Sequence, residues 1–132
     1  MTDKQTLLAY RFKQAEETFA DAEKMLQGGL SGRSIINRSY YVVFYSILAL
    51  FLHCDINPRT SKHSGVLSIF DRDLANTGKI DKRFSRIAHR LFDARQEVDY
   101  KELVEVPAVE AQKSVGLAKE FLDAVKQFIE TH

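Results

Sequence analysis

Only one cysteine, Cys54, occurs in this chain of 132 residues. No intramolecular disulfide can therefore form, and no cysteine-based metal site is available. That suits a reducing compartment, and the expected location is the cytoplasm. A strong charge of one sign is also lacking. The formal net charge is +1, so no global field draws the protein to nucleic acid or to a membrane surface. Any phosphate-binding role has to rest on a local patch. Long apolar runs are scarce. The run from Tyr40 to Cys54 is the one membrane candidate, and it is too short to span and is flanked by Arg38, His53 and Asp55. It reads as a central helix that is apolar nearly all round, and no membrane association is expected. The polar start Met-Thr-Asp-Lys-Gln lacks a signal-peptide core. Several enzyme signatures are missing: there is no Walker loop, dinucleotide fingerprint, His-Glu-x-x-His or nucleophile elbow. Glu-x-x-His pairs are absent, and His53, His63, His89 and His132 share no ligand spacing on one helix. No metal and no cofactor are expected.

What is present is helical periodicity. The length is that of one domain, residues 1–132, long enough to bury a core. Leu8, Phe12, Ala15, Phe19, Ala22 and Leu26 recur at steps of four and three, which predicts a bundle helix from near Thr6 to Gln27. Gly28 and Gly29 end it. A second helix runs from Ser31–Ser34 to about Cys54, and Pro58 keeps the following loop from continuing it. Ser61 is placed to cap a short third helix ending around Asn76–Gly78. Asp81 is placed to cap a fourth, running to about Asp99. Pro107 suits the first turn of a last helix with the stripe Val115, Ala118, Leu122, Val125 and Ile129. No stretch reads as a strand. The expected fold class is all-α, an up-and-down four-helix bundle with one additional short helix.

Three of these stripes carry a polar residue where an apolar one belongs. Asn37 leads into Tyr41, Phe44, Leu48 and Phe51; His63 leads into Leu67, Phe70 and Leu74; Arg95 interrupts Phe84, Ala88, Leu91 and Val98. Polar groups on a core-facing stripe are costly unless paired, so they mark either an internal network or a cleft. Arg95 and Asp99 stand four apart, where they can pair, and Tyr100 follows at the helix end. An arginine held by an aspartate is a preorganised anion receptor, and it is equally a structural ion pair. Asn37 and Arg38 lie near a helix start, where backbone N–H groups favour anions. Lys62 and His63 open the next helix in the same way. Tyr40 and Tyr41 read as packing residues. Lys79, Arg83, Arg86 and Arg90 form a basic stripe that reads as a solvated face.

The ordered set of Asn-Arg-x-Tyr-Tyr, Lys-His, Gly-Val-Leu-Ser-Ile-Phe and Arg-x-x-x-Asp-Tyr, closed by an amphipathic helix, resembles the HEPN superfamily in its small stand-alone prokaryotic branch. The resemblance runs from about Leu8 to Ile129. It implies an all-α bundle, a homodimer and nucleotide or RNA binding. It also implies pairing with a minimal nucleotidyltransferase as a toxin–antitoxin system. Active relatives of that kind are metal-independent ribonucleases that use an arginine followed some four to six residues later by histidine. Here Asp99 and Tyr100 stand where that histidine would be looked for after Arg95. Arg83 and His89 match the bare spacing but fall on different faces of a continuous helix. The expectation is a binding module whose pocket is built from Asn37, Arg38, Lys62, His63, Arg95, Asp99 and Tyr100. The alternatives are a divergent ribonuclease using His63 or His89, and a purely structural dimeric adaptor.

Overall fold

The computed structural model describes residues 2–100 and 105–132. Among them are five α-helices: α1 (Asp3–Gln27), α2 (Gly32–His53), α3 (His63–Phe70), α4 (Lys82–Tyr100) and α5 (Ala108–Thr131). There is no strand among the described residues. Helices α1, α2, α4 and α5 form the bundle, and α3 is the additional short helix, as the apolar periodicity predicts.

Helix α2 is the hub. It packs against α1, α5 and α4, and Tyr40, Ile47, Leu50 and Phe51 are all but excluded from solvent. It includes Gly32–Ser39 as well as the run from Tyr40, so at 22 residues it is long and apolar enough to cross a membrane by length and composition. Most of it is covered by its neighbours, the pattern of a helix at the centre of a bundle. Phe70, Leu74, Leu91 and Phe121 close the core from α3, the segment after it, α4 and α5.

Local sequence explains most of the ends. Thr2 and Gln5 form a reciprocal capping box that starts α1. Gly29, with φ 68°, ends it. Its N–H bonds to the Leu26 carbonyl while that of Leu30 reaches back to Met25, a Schellman closure that requires the left-handed residue. Ser31 caps α2, and the Asp81 carboxylate accepts from the Arg83 N–H at the start of α4, as expected. Two expectations need correction. Ser61 does not cap α3. Lys62 holds the cap position without a side-chain bond, because the turn is closed by Thr60 Oγ1 accepting from the Lys62 N–H. Pro107 precedes α5 at its cap position, one place ahead of the first turn.

The third helix also ends sooner than its stripe predicts. After Phe70 the chain widens into a π-helical turn, Asp71–Ala75, in which the Asn76 N–H reaches the Asp71 carbonyl. One extra residue per turn rotates the chain beyond it, so that Leu74 and Ala75 are buried side by side. A single-turn widening of this kind is invisible to a stripe counted in threes and fours.

Among the glycines, Gly32 makes the closest approach to its surroundings. A Cβ there would stand 2.6 Å from Val106 Cβ, so α2 and the segment before α5 touch backbone to side chain. Gly→Ala in a helix normally stabilises by about 0.5–1 kcal/mol. Here Gly32→Ala should lower the urea midpoint, and adding Val106→Ala should recover most of the loss. A single variant as stable as the wild type would show that the contact gives way freely.

Candidate functional site

The N-terminal half of α2 emerges from the core along one line of residues. Arg33, Asn37, Tyr41 and Tyr45 are spaced by four, with Ser34 and Arg38 beside them, so they share a face. That face forms the floor of a cleft of about 470 Å³, which Met25 of α1 and Asp99 of α4 complete. Asn37, Tyr41 and Tyr45 are half-buried and Arg38 is exposed. Among the described residues, the Asn37 amide, the Arg38 guanidinium and the hydroxyls of Tyr41 and Tyr45 have no hydrogen-bond partner. Half-buried polar groups converging on one cleft without partners are groups arranged for water or a ligand.

Behind this floor lies a polar knot. Arg95 of α4 sits over the rings of Tyr40 and Tyr41, its guanidinium carbon 5.1 Å from each centroid. Its Nη1 is 3.3 Å from His63 Nδ1, and the Tyr40 hydroxyl is 2.9 Å from the same nitrogen. Arginine can only donate, so Nδ1 must accept, and the Tyr40 hydroxyl donates to it as well. The imidazole is thereby held neutral with its proton on Nε2. Burial, and secondly the Arg95 charge, hold the His63 pKa below its ordinary value. Burial also pushes the Tyr40 hydroxyl well above the usual tyrosine range, so it stays protonated as a donor. The His63 ring stacks on Phe44 at 4.2 Å between centroids. Arg95 Nε is buried and has no hydrogen-bond partner among the described residues. Asp99 Oδ2 lies 3.6 Å from it, close enough for an ion pair and too far for a bond.

A second polar cluster lies apart from the cleft. Asp71, on the π-helical turn, accepts from Ser85 Oγ at 2.5 Å and pairs through Oδ2 with His89 Nε2 at 2.6 Å. It ties the widened turn to α4. The basic stripe is only partly a solvated face. Arg83 pairs with Glu120, and Arg90 stands 4.0 Å from Glu110, so both reach across to α5. Among the described residues, no three histidine, cysteine or acidic side chains gather as a metal site would require.

Of the residues the sequence singles out, the fold brings Asn37, Arg38 and Asp99 to one cleft; His63 and Arg95 do not line it but pack against Tyr41, which does. It leaves two others out altogether. Lys62 is exposed and outside the lining, because only His63 turns inward at the start of α3. Tyr100 is 83% exposed, since it follows the buried Val98 by two positions and so faces outward on α4. Sequence reasoning overlooked Arg33, Ser34 and Tyr45. The four-residue spacing from Arg33 to Tyr45 was the signal that could have found them. Tyr41, read as packing, lines the cleft, whereas Tyr40 is indeed buried.

Residues 8–128 match the HEPN domain family. The chain belongs to the HEPN family. Similar proteins include one of Thermotoga maritima named "UPF0332 protein", 36% identical over 98% of this chain and 96% of its own length. Two proteins of Methanocaldococcus jannaschii, each named "Putative toxin", are 32% identical. One alignment covers 86% of this chain and 81% of the relative, the other 71% and 63%. The all-α bundle expected from periodicity is thus the HEPN architecture. The polar cleft lies at the end of α2, where the Asn-Arg-x-Tyr-Tyr run begins.

The neutral His63 carries a consequence for stability. In the unfolded chain it takes up a proton near pH 6.5, whereas the folded state resists protonation to lower pH. Its contribution is therefore fully present above about pH 6.5 and is lost as pH falls through the unfolded and then the folded value. The urea midpoint of the wild type should fall more steeply than that of His63→Gln between about pH 7 and 5. Parallel curves would remove His63 from the acid sensitivity.

Proposed function

We propose that this HEPN protein is a binding module whose α2 cleft takes a phosphate-bearing ligand, a nucleotide or a segment of RNA. The observation that carries the reading is the convergence on one cleft of Asn37, Arg38, Tyr41 and Tyr45, whose polar groups have no hydrogen-bond partner among the described residues. Arg38 supplies a guanidinium suited to bidentate phosphate contact. Asn37 supplies both donor and acceptor, and the tyrosines offer ring faces and hydroxyls to a base or sugar. Arg95 backs the site with positive charge while Asp99 limits its reach. The relatives named as toxins favour a toxin-like role for the module. We further propose a minimal nucleotidyltransferase partner, a homodimeric state and a cytoplasmic location.

A ribonuclease reading has one observation in its favour: His89 is oriented by Asp71 and remains partly exposed. Against it, Arg90, the arginine next to His89, reaches across to Glu110 of α5, and His63 Nδ1 is already occupied. Metal-independent cleavage of single-stranded RNA that is lost in His89→Ala would replace the binding reading with this one.

The deciding experiment is titration of the wild type and Arg38→Ala with ATP, GTP and a short single-stranded RNA at two salt concentrations. Arg38 is exposed and makes no hydrogen bond among the described residues, so the variant should fold normally. Loss of one charge-assisted contact should weaken binding by about ten-fold or more, and wild-type affinity should fall with salt. Wild-type protein that binds none of the three would leave a protein partner as the cleft's occupant.

A further inference from the structure

The His63 imidazole is both the acceptor for Arg95 and the one group in the knot that mild acid can charge, below the ordinary histidine value. Two donors, the Tyr40 hydroxyl and Arg95 Nη1, converge on the single lone pair of Nδ1. A proton placed there leaves both facing a third donor. Tyr40 can answer by rotating its hydroxyl to accept, but Arg95 cannot accept at all. Arg95 also has an alternative partner close by. Its Nε has no hydrogen-bond partner among the described residues, and the Asp99 carboxylate that would satisfy it lies 3.6 Å away. Finally, Asp99 is a cleft-lining residue and His63 is not, so movement of Arg95 between them carries a signal from the knot into the site.

We propose that His63 is the positioning residue for Arg95 and a proton-operated latch on the cleft. With His63 neutral, Arg95 is held against the Tyr40 and Tyr41 rings, and Asp99 keeps most of its negative charge turned to the cleft. With His63 protonated, repulsion drives the guanidinium towards Asp99, Arg95 Nε–H closes on the carboxylate, and the cleft loses that negative charge. Anion binding is then strengthened by acid. The proton stays on the imidazole throughout, and no bond other than hydrogen bonds is made or broken. The titratable and charged groups facing His63 are Tyr40 and Tyr41 from α2 and Arg95 from α4, with Asp99 beyond it. Lys62 precedes it in the chain and is exposed. Of these side-chain types, only histidine ordinarily changes charge between about pH 7.5 and 5.5.

The inference rests on the anion-binding reading for its effect on affinity, but the latch itself is observable without a ligand. In the free protein, NMR of the histidine ring and of the arginine side-chain Nε–H signals should show the Nε2–H tautomer of His63 at pH 7.5. On acidification the Arg95 Nε–H signal should move with the same midpoint as His63. An Arg95 signal that stays still while His63 titrates overturns the latch, whatever the cleft binds. Binding supplies the second arm, with a labelled single-stranded oligoribonucleotide whose phosphodiesters keep their charge over this range. Affinity of the wild type should rise about three-fold or more between pH 7.5 and 5.5, the order expected of one charge altered at cleft distance. His63→Gln keeps an uncharged acceptor and should bind with little pH dependence. His63→Phe keeps the stack on Phe44, removes the acceptor and should bind like the acid form at both pH values. Equal pH dependence in wild type and His63→Gln overturns the proposal. An oligonucleotide that binds at neither pH overturns the anion-binding reading, and the NMR arm then decides the latch alone.

Discussion

Burial of α2 on nearly every side is the constraint on which the rest of this structure depends. A helix wrapped by α1, α4 and α5 has to be apolar through its middle, and Val42 to Phe51 meets that demand. Its first turns bury Ile35 and Ile36 but leave Arg33, Ser34, Asn37 and Arg38 outside the core, where the chain enters from solvent at Ser31. Polar residues therefore collect where α2 leaves the core. Those not satisfied among themselves are left facing a cleft. The candidate site is thus placed by the geometry of a central helix, on secondary structure rather than on loops.

The polar knot behind the cleft shows how a charge is kept near such a core. Arg95 is neutralised only loosely, by an ion pair beyond hydrogen-bonding distance, and is otherwise stabilised by two tyrosine rings and a histidine nitrogen. Aromatic faces cost less desolvation than a second buried charge would, and they tolerate displacement of the cation. The arrangement is adequate for a resting state and leaves Arg95 Nε without a hydrogen-bond partner among the described residues. A fully satisfied network would be more rigid and less responsive.

Much of the fold was legible in the chain. Capping residues, the Gly28–Gly29 stop and stripes in threes and fours locate the bundle helices to within a few residues, because these are local signals. The π-helical turn was not legible, since Asp71 bonds to Ser85 and His89, which lie fourteen and eighteen residues further along. The candidate site was legible in part. Asn37, His63 and Arg95 betrayed themselves by breaking apolar stripes. Lys62 and Tyr100 were drawn in by adjacency in sequence, which on a helix means pointing elsewhere. Arg33 and Tyr45 were passed over because polar and aromatic residues near a helix end violate no pattern.

Periodicity, charge and motif order by themselves determined that this chain is an all-α HEPN bundle without a disulfide framework, since each is a property of residues close in sequence. The tertiary structure alone decided which polar residues meet. His63, Tyr40 and Arg95 come from three helices, and their contact depends on how α3 and α4 cross α2. Crossing geometry is a sum of many small packing preferences spread over the whole core, and no short segment of sequence carries it.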